Sequence, residues 1–310
     1  MCTWMKKYDM IQGVMHVKTQ LATSFFKPQG EVKAVMVVVH GMAEHRKRYG
    51  RFAEILSEHG IAVLTYDQRG HGESVSDSSE LGYFGRFDGW MNLVRDLNSL
   101  ISSLKKKFDV PVILFGHSMG SMVARCYLKR YAQKVDAVIL SGAPNFTPFA
   151  YAGRLLAYVM CTFGNEKRRS ALLHQMVEGG FIRSVENPQT EVDWLSYNPV
   201  NVQRYIQDDL CGFTFTNRGY EDLMFLMIDM HRLQGAVKPE KEVPILFVSG
   251  KDDPCTGSEA GLADSMHALN QQGYKNITNL VYENARHEIL NEKISDKVIE
   301  DIVQWIEKAF

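Results

Sequence analysis

The sequence lacks the marks of several large classes of protein. It has five cysteines in 310 residues, Cys2, Cys126, Cys161, Cys211 and Cys255, widely spaced and without a C-x-x-C pair. An odd, scattered set of this kind argues against a disulfide framework or a cysteine zinc site and fits a reducing compartment. No run of about 18 apolar residues occurs, which excludes an ordinary membrane-spanning helix. Met1 to Met15 carries two lysines but no continuous apolar stretch, so no signal peptide is read there. A cytoplasmic protein is the expectation. Charge of either sign is not in excess: 35 Lys and Arg face 36 Asp and Glu, a formal net charge of −1. No whole-molecule field then favours nucleic acid, and no such partner is expected. The basic runs Arg46 to Arg48 and Lys105 to Lys107 are short enough to be solvated faces or helix ends. H-E-x-x-H and a nucleotide-type glycine loop are both absent, so neither metal nor organic cofactor is expected.

What is present is the pattern of an α/β protein. Short apolar runs rich in β-branched residues, Ala34 to Val39, Ile61 to Tyr66, Val112 to Phe115 and Ala137 to Leu140, read as buried strands. Ile245 to Val248 and Ile277 to Tyr282 follow much later, and Val14 to Phe26 suits an antiparallel hairpin at the sheet edge. Amphipathic stripes lie between and after them, such as Leu93, Leu97, Leu100, Ile101 and Leu104, or Val298, Ile299, Ile302, Val303 and Ile306. Strands apolar throughout, alternating with such helices, predict a mostly parallel sheet covered on both faces. The alternation stops after Leu140. Residues 145–235 show no buried strand; Ala152, Leu155, Leu156, Val159, Met160 and Phe163 instead fall on one helical stripe. This predicts a core of residues 1–144 and 236–310 interrupted by a helical insertion of residues 145–235.

Gly116-His117-Ser118-Met119-Gly120 follows one predicted strand and precedes a helical segment, the setting of a G-x-S-x-G turn that presents a nucleophilic serine. Such a serine needs a base, and the base needs an orienting carboxylate. In the chain order Ser, Asp, His, the later members should follow later strands. Asp253, in Gly250-Lys251-Asp252-Asp253-Pro254, and His287, in Ala285-Arg286-His287-Glu288, do so. Asp252 is the alternative acid, since the two aspartates adjoin. Acyl transfer also needs two N–H donors for the oxyanion. The amide of Met119 and that of Met42, in the loop after the strand Ala34 to Val39, are assigned to this task.

The set His40-Gly41-Met42-Ala43-Glu44-His45 with Arg48-Tyr49, Asp67-Gln68-Arg69-Gly70-His71-Gly72-Glu73-Ser74 and Gly116-His117-Ser118-Met119-Gly120 resembles monoacylglycerol lipases and lysophospholipases of the α/β-hydrolase fold, and the serine-aminopeptidase-like group. The resemblance runs from about residue 12 to the C-terminus and is weakest in the insertion. It implies the triad Ser118, Asp253 and His287, favouring Asp253 over its neighbour, and an oxyanion loop at Met42. It also implies substrate contacts for Glu44 and Arg48, beside which stands the reading that the two form a buried pair holding the loop. His117, Asp67, Arg69 and His71 are read as structural. The insertion takes the place of a cap, for which Leu155, Val159 and Met227 are candidate acyl-chain contacts. A small lipid ester is the expected substrate, an amide or aminopeptidase substrate the alternative, and a non-catalytic binder the remote one. An exposed cap helix suits transient contact with a membrane or lipid surface.

Overall fold

The computed structural model describes residues 11–16 and 20–310, with side chains from Leu21 onward. Cys2 lies outside the described residues. Eight strands form one sheet: β1 (Ile11–His16), β2 (Gln20–Phe26), β3 (Ala34–Val39), β4 (Ile61–Tyr66), β5 (Val112–His117), β6 (Ala137–Ser141), β7 (Ile245–Gly250) and β8 (Ile277–Tyr282). Their order is β1-β2-β4-β3-β5-β6-β7-β8. The hairpin β1–β2 is antiparallel and joins β4 antiparallel, while all other pairings are parallel.

Alternation along each strand builds two separate cores. Val35, Val37 and Val39 of β3 face helices α2 (Gly89–Lys107), α3 (Met119–Tyr131) and α8 (Ser258–Gln271). Met36 and Val38 face α1 (Gly50–Glu58) and α9 (Ser295–Ala309). With both faces covered, every residue of β3, β4, β5, β6 and β7 is buried, which is why these strands read as unbroken apolar runs. Strand β8 differs from the expectation of a buried strand. It pairs only with β7 and leaves Thr278, Asn279 and Val281 exposed, as an edge position allows. The stripe Val298, Ile299, Ile302, Val303 and Ile306 is buried along α9. Each such side chain contributes about 1.5–3 kcal/mol on burial, so Ile302→Asp would detach this helix.

Between β6 and β7 stand four helices, α4 (Phe149–Phe163), α5 (Ala171–Val177), α6 (Pro199–Ile206) and α7 (Asn217–His231). Helix α7 packs on both α3 and α4, so the insertion is seated on the helix that follows Ser118. Among the described residues no helix is long and apolar enough to cross a membrane.

Candidate active site

Ser118 occupies the turn between β5 and α3 with φ +51° and ψ −121°, backbone that a non-glycine residue adopts only where surroundings enforce it. The enforcement is visible. A Cβ at Gly116 would lie 2.6 Å from the Gly120 carbonyl oxygen, and one at Gly120 would collide with that of Val39. The two glycines thus let the chain fold back tightly against β3. The Ser118 N–H donates to the Ser141 carbonyl on β6 at 2.9 Å, fixing the turn to the sheet.

Asp253 follows β7 and His287 follows β8, both buried. Asp253 Oδ1 and Oδ2 each lie 3.0 Å from His287 Nδ1. The carboxylate also accepts from the Cys255 N–H at 2.9 Å and the Thr256 hydroxyl at 2.8 Å. Burial pushes the Asp253 carboxyl up, but the His287 ring and these donors outweigh it and hold the carboxyl below its ordinary range. Burial works the other way on His287; the Asp253 carboxylate overrides it, and the ring is held well above its ordinary 6.5. Asp252 lies at the surface, where its carboxylate accepts from the Tyr197 hydroxyl. The two adjacent aspartates are therefore distinguished by geometry, and it is Asp253 that orients the histidine. Ser118 Oγ makes no hydrogen bond to His287 among the described residues, although both line one cavity; such contacts commonly tighten only around substrate.

The loop after β3 is held from three directions. Its Gly41 N–H donates to Glu44 Oε1 at 2.5 Å. Ala43, at φ +48°, donates its N–H to His71 Nε2 at 3.3 Å and accepts from Tyr205 Oη and the Gly212 N–H. Burial and the neighbouring His40 keep His71 well below its ordinary pKa, so the ring is neutral. Its Nδ1–H then donates to the Arg69 carbonyl, leaving Nε2 free to accept. Asp67 in turn accepts from the Arg46 N–H and the Glu73 N–H and pairs with the Arg46 guanidinium. With these tethers, the N–H groups of Met42 and Met119 are not taken by any internal acceptor among the described residues. The first N–H groups of a helix lack internal partners in any case, and Met119 is one of them.

Glu44 and Arg48 meet as a buried pair. Arg48 Nη1 donates to Glu44 Oε2 at 2.9 Å, and Nη2 donates to Glu288 Oε2 at 2.7 Å and Asn201 Oδ1 at 3.1 Å. Arg48 Nη1 also pairs with Glu288 Oε1, and the guanidinium lies 5.1 Å from the Tyr205 ring centroid. Burial raises the Glu44 carboxyl, but Arg48 and the nearby histidines bring it down to about 2. One arginine thus ties the loop after β3 to Glu288, the neighbour of His287, and to α6.

These groups surround a cavity of about 340 Å³. Ser118, His287, Met42, Met119, Glu44 and Met227 line it, whereas Arg48 stands behind its wall. Leu155 and Val159 do not line it. They are 64% and 41% exposed, which corrects the expectation that they touch an acyl chain. The inner face of α4 is instead built of Ala150, Gly153, Ala157 and Cys161, small residues that let α4 lie close on α7 and turn the bulkier stripe outward. Several lining residues escaped the sequence reading: Trp194, whose ring is 5.0 Å from that of His287, Tyr205, Glu178, Cys255 and Glu288. Glu288 alone carried a signal, its place beside His287; the others sit in irregular or short segments where periodicity is mute.

Comparison with known proteins places this geometry. The family model described as serine aminopeptidase, S33, matches residues 30–294. A monoacylglycerol lipase of Mycolicibacterium smegmatis is 27% identical, covering 90% of each chain. The human monoglyceride lipase is 26% identical over 91% of this chain and 85% of its own length. Among solved structures, a thermostable carboxyl esterase from Bacillus coagulans in complex with glycerol superposes with a TM-score of 0.86, at 25% identity over 97% of this chain and 98% of the other.

Proposed function

The chain belongs to the serine aminopeptidase S33 family of α/β-hydrolases, and from that premise we propose that it hydrolyses carboxylic esters of small lipids, monoacylglycerols or lysophospholipids, through an acyl-enzyme on Ser118. The observation that carries this reading is the oriented Asp253–His287 pair at a cavity with Ser118 in its wall. Kinship with monoacylglycerol and monoglyceride lipases supports the choice of substrate.

In the proposed reaction, unprotonated His287 Nε2 takes the Ser118 proton as Oγ attacks the ester carbonyl carbon. Asp253 holds the Nδ1–H tautomer and stabilises the imidazolium that forms. The carbonyl oxygen, now negative, receives the free N–H groups of Met42 and Met119. Collapse breaks the bond to the alcohol oxygen, which leaves with the proton from His287. Water then adds to the acyl-enzyme by the same steps, and the fatty acid departs with Ser118 restored.

Residues 145–235 act as the cap in this reading, and α4 is its outer surface. Phe149 and Phe163 are 79% and 86% exposed and, with Leu155 and Val159, give α4 an apolar outward face; Phe149 also lines the cavity. This face suits shallow seating on a lipid surface at the cavity entrance. Co-sedimentation with phosphatidylcholine vesicles tests it, and binding undiminished in a Leu155→Ser, Phe163→Ser variant would refute it. The substrate reading is tested by turnover of monoacylglycerols, lysophospholipids and aminoacyl arylamides. Preference for the lipid esters is expected; preference for the arylamides would overturn it.

A further inference from the structure

The residues that line the cavity form two unlike sets, an apolar arm and an acidic, aromatic one. One runs between α3, α4 and α7 and is apolar, walled by Met122, Ala150, Gly153, Leu223, Met224 and Met227. The other lies on the His287 side, where the leaving alcohol must depart, and is walled by Phe181, Trp194, Tyr205 and the carboxylates Glu44, Glu178 and Glu288. No lysine or arginine lines either arm. The charges on the second arm do not cancel. Arg48 is a single cation shared between Glu44 and Glu288, so that group keeps one negative charge. Asp253 adds another when His287 is unprotonated, the form that takes the Ser118 proton. Glu178 adds a third when His174, whose Nδ1 lies 3.0 Å from Glu178 Oε1, is unprotonated, as the assay at pH 8 favours.

Aromatic faces accompany this excess. The Phe181 and Trp194 ring centroids are 4.8 Å apart at 44°, and Trp194 reaches His287. The Tyr205 ring already holds a cation, the Arg48 guanidinium. Carboxylates beside tilted aromatic rings are the chemistry that recognises an ammonium group, and the same field opposes a phosphate.

We propose that the leaving-group arm selects alcohols by charge, taking uncharged or ammonium-bearing alcohols and rejecting phosphate-bearing ones, with Glu178 as the residue that distinguishes them. This rests on the esterase reading above and narrows it to the monoacylglycerols, because the alcohol released from a lysophospholipid carries a phosphate. The bond broken and the path of the protons are unchanged; only the group carried by the alcohol is chosen.

Three water-soluble esters of one acyl chain test it: monobutyrin, butyrylcholine and butyryl glycerol 3-phosphate, assayed at pH 8 on the full chain. The expected order of kcat/KM is butyrylcholine at or above monobutyrin, with the phosphate ester at least about tenfold lower. Glu178→Gln should pull the butyrylcholine-to-monobutyrin ratio down several-fold. Turnover of the phosphate ester equal to that of monobutyrin would overturn charge selection whether or not the variant folds. An unchanged ratio in Glu178→Gln would overturn the role of Glu178. Hydrolysis of none of the three would overturn the esterase reading and this inference with it.

Discussion

Replacing Arg48 by methionine distinguishes a structural clamp from a substrate contact. The change keeps the apolar stem and removes the guanidinium that pairs with Glu44 and Glu288 and bonds Asn201. Both carboxylate side chains are only 4% exposed, so neither is rescued by water. Breaking a buried ion pair by removing one partner costs roughly 3–5 kcal/mol. At about 2.1 cal/mol/K per residue of unfolding entropy, about 4 kcal/mol corresponds to a drop of about 6 °C in Tm for a chain of this size. The loss should depend on pH with a definite sign. In the wild type, Glu44 titrates at about 2, below its ordinary value of 4.5. Its stabilisation is thus complete above 4.5 and lost as the pH falls from there towards 2. In Arg48→Met, burial without a cation raises both carboxyls, so the folded state binds protons more readily than the unfolded one. The variant's deficit should therefore shrink as the pH falls from 8 to 5. Calorimetric scans across that range, with kcat measured alongside, decide the matter. A Tm within 1 °C of wild type together with a raised KM would refute the clamp and return Arg48 to the role of head-group contact.

The other expectations concern the catalytic groups and the cavity. Asp253→Asn replaces one of the acceptors held by Nδ1–H, Cys255 and Thr256 with an amide N–H; kcat should fall ~10⁴-fold without loss of fold, as measured by kinetics and circular dichroism. In the wild type, the acid limb of kcat/KM should have its midpoint above 6.5, because the Asp253 carboxylate holds His287 protonated beyond that value; a midpoint below 6.5 would contradict this. The same shift stabilises the fold fully below 6.5 and ceases to do so as the pH rises through the folded pKa. Gly153→Ala places a methyl 3.2 Å from Met224 Cε, pressing that side chain into the apolar arm. Long-chain monoacylglycerols should lose roughly tenfold in kcat/KM, while a butyrate ester is spared.

Much of the architecture could be read from residue pattern because burial on both faces leaves a simple trace. Ala34 to Val39 contains no polar residue since none of its positions meets water. Val14 to Phe26 likewise brackets part of the edge hairpin, now β1 and β2. The edge character of β8 was hidden because pairing on one side only is a property of the sheet, not of Ile277 to Tyr282. The turn that carries Ser118 was legible through Gly116 and Gly120, whose absence of side chains the local geometry requires. Helix α4 misled for a physical reason. Periodicity places Leu155 and Val159 on one stripe but does not say that small residues on the opposite face would win the interior. Close approach of α4 to α7 favours Ala150, Gly153 and Ala157 there. The acidic and aromatic wall at Glu178, Trp194 and Tyr205 comes from separate short elements brought together only by folding, so no spacing announces it.

The central claim is that Ser118 is the nucleophile of an acyl-transfer site. Incubation with a fluorophosphonate probe, followed by peptide mapping, tests it most directly. Stoichiometric modification of Ser118 in the wild type, absent in Ser118→Ala and strongly slowed in His287→Ala, is predicted. An unmodified wild type, or equal labelling of Ser118→Ala, would contradict the claim.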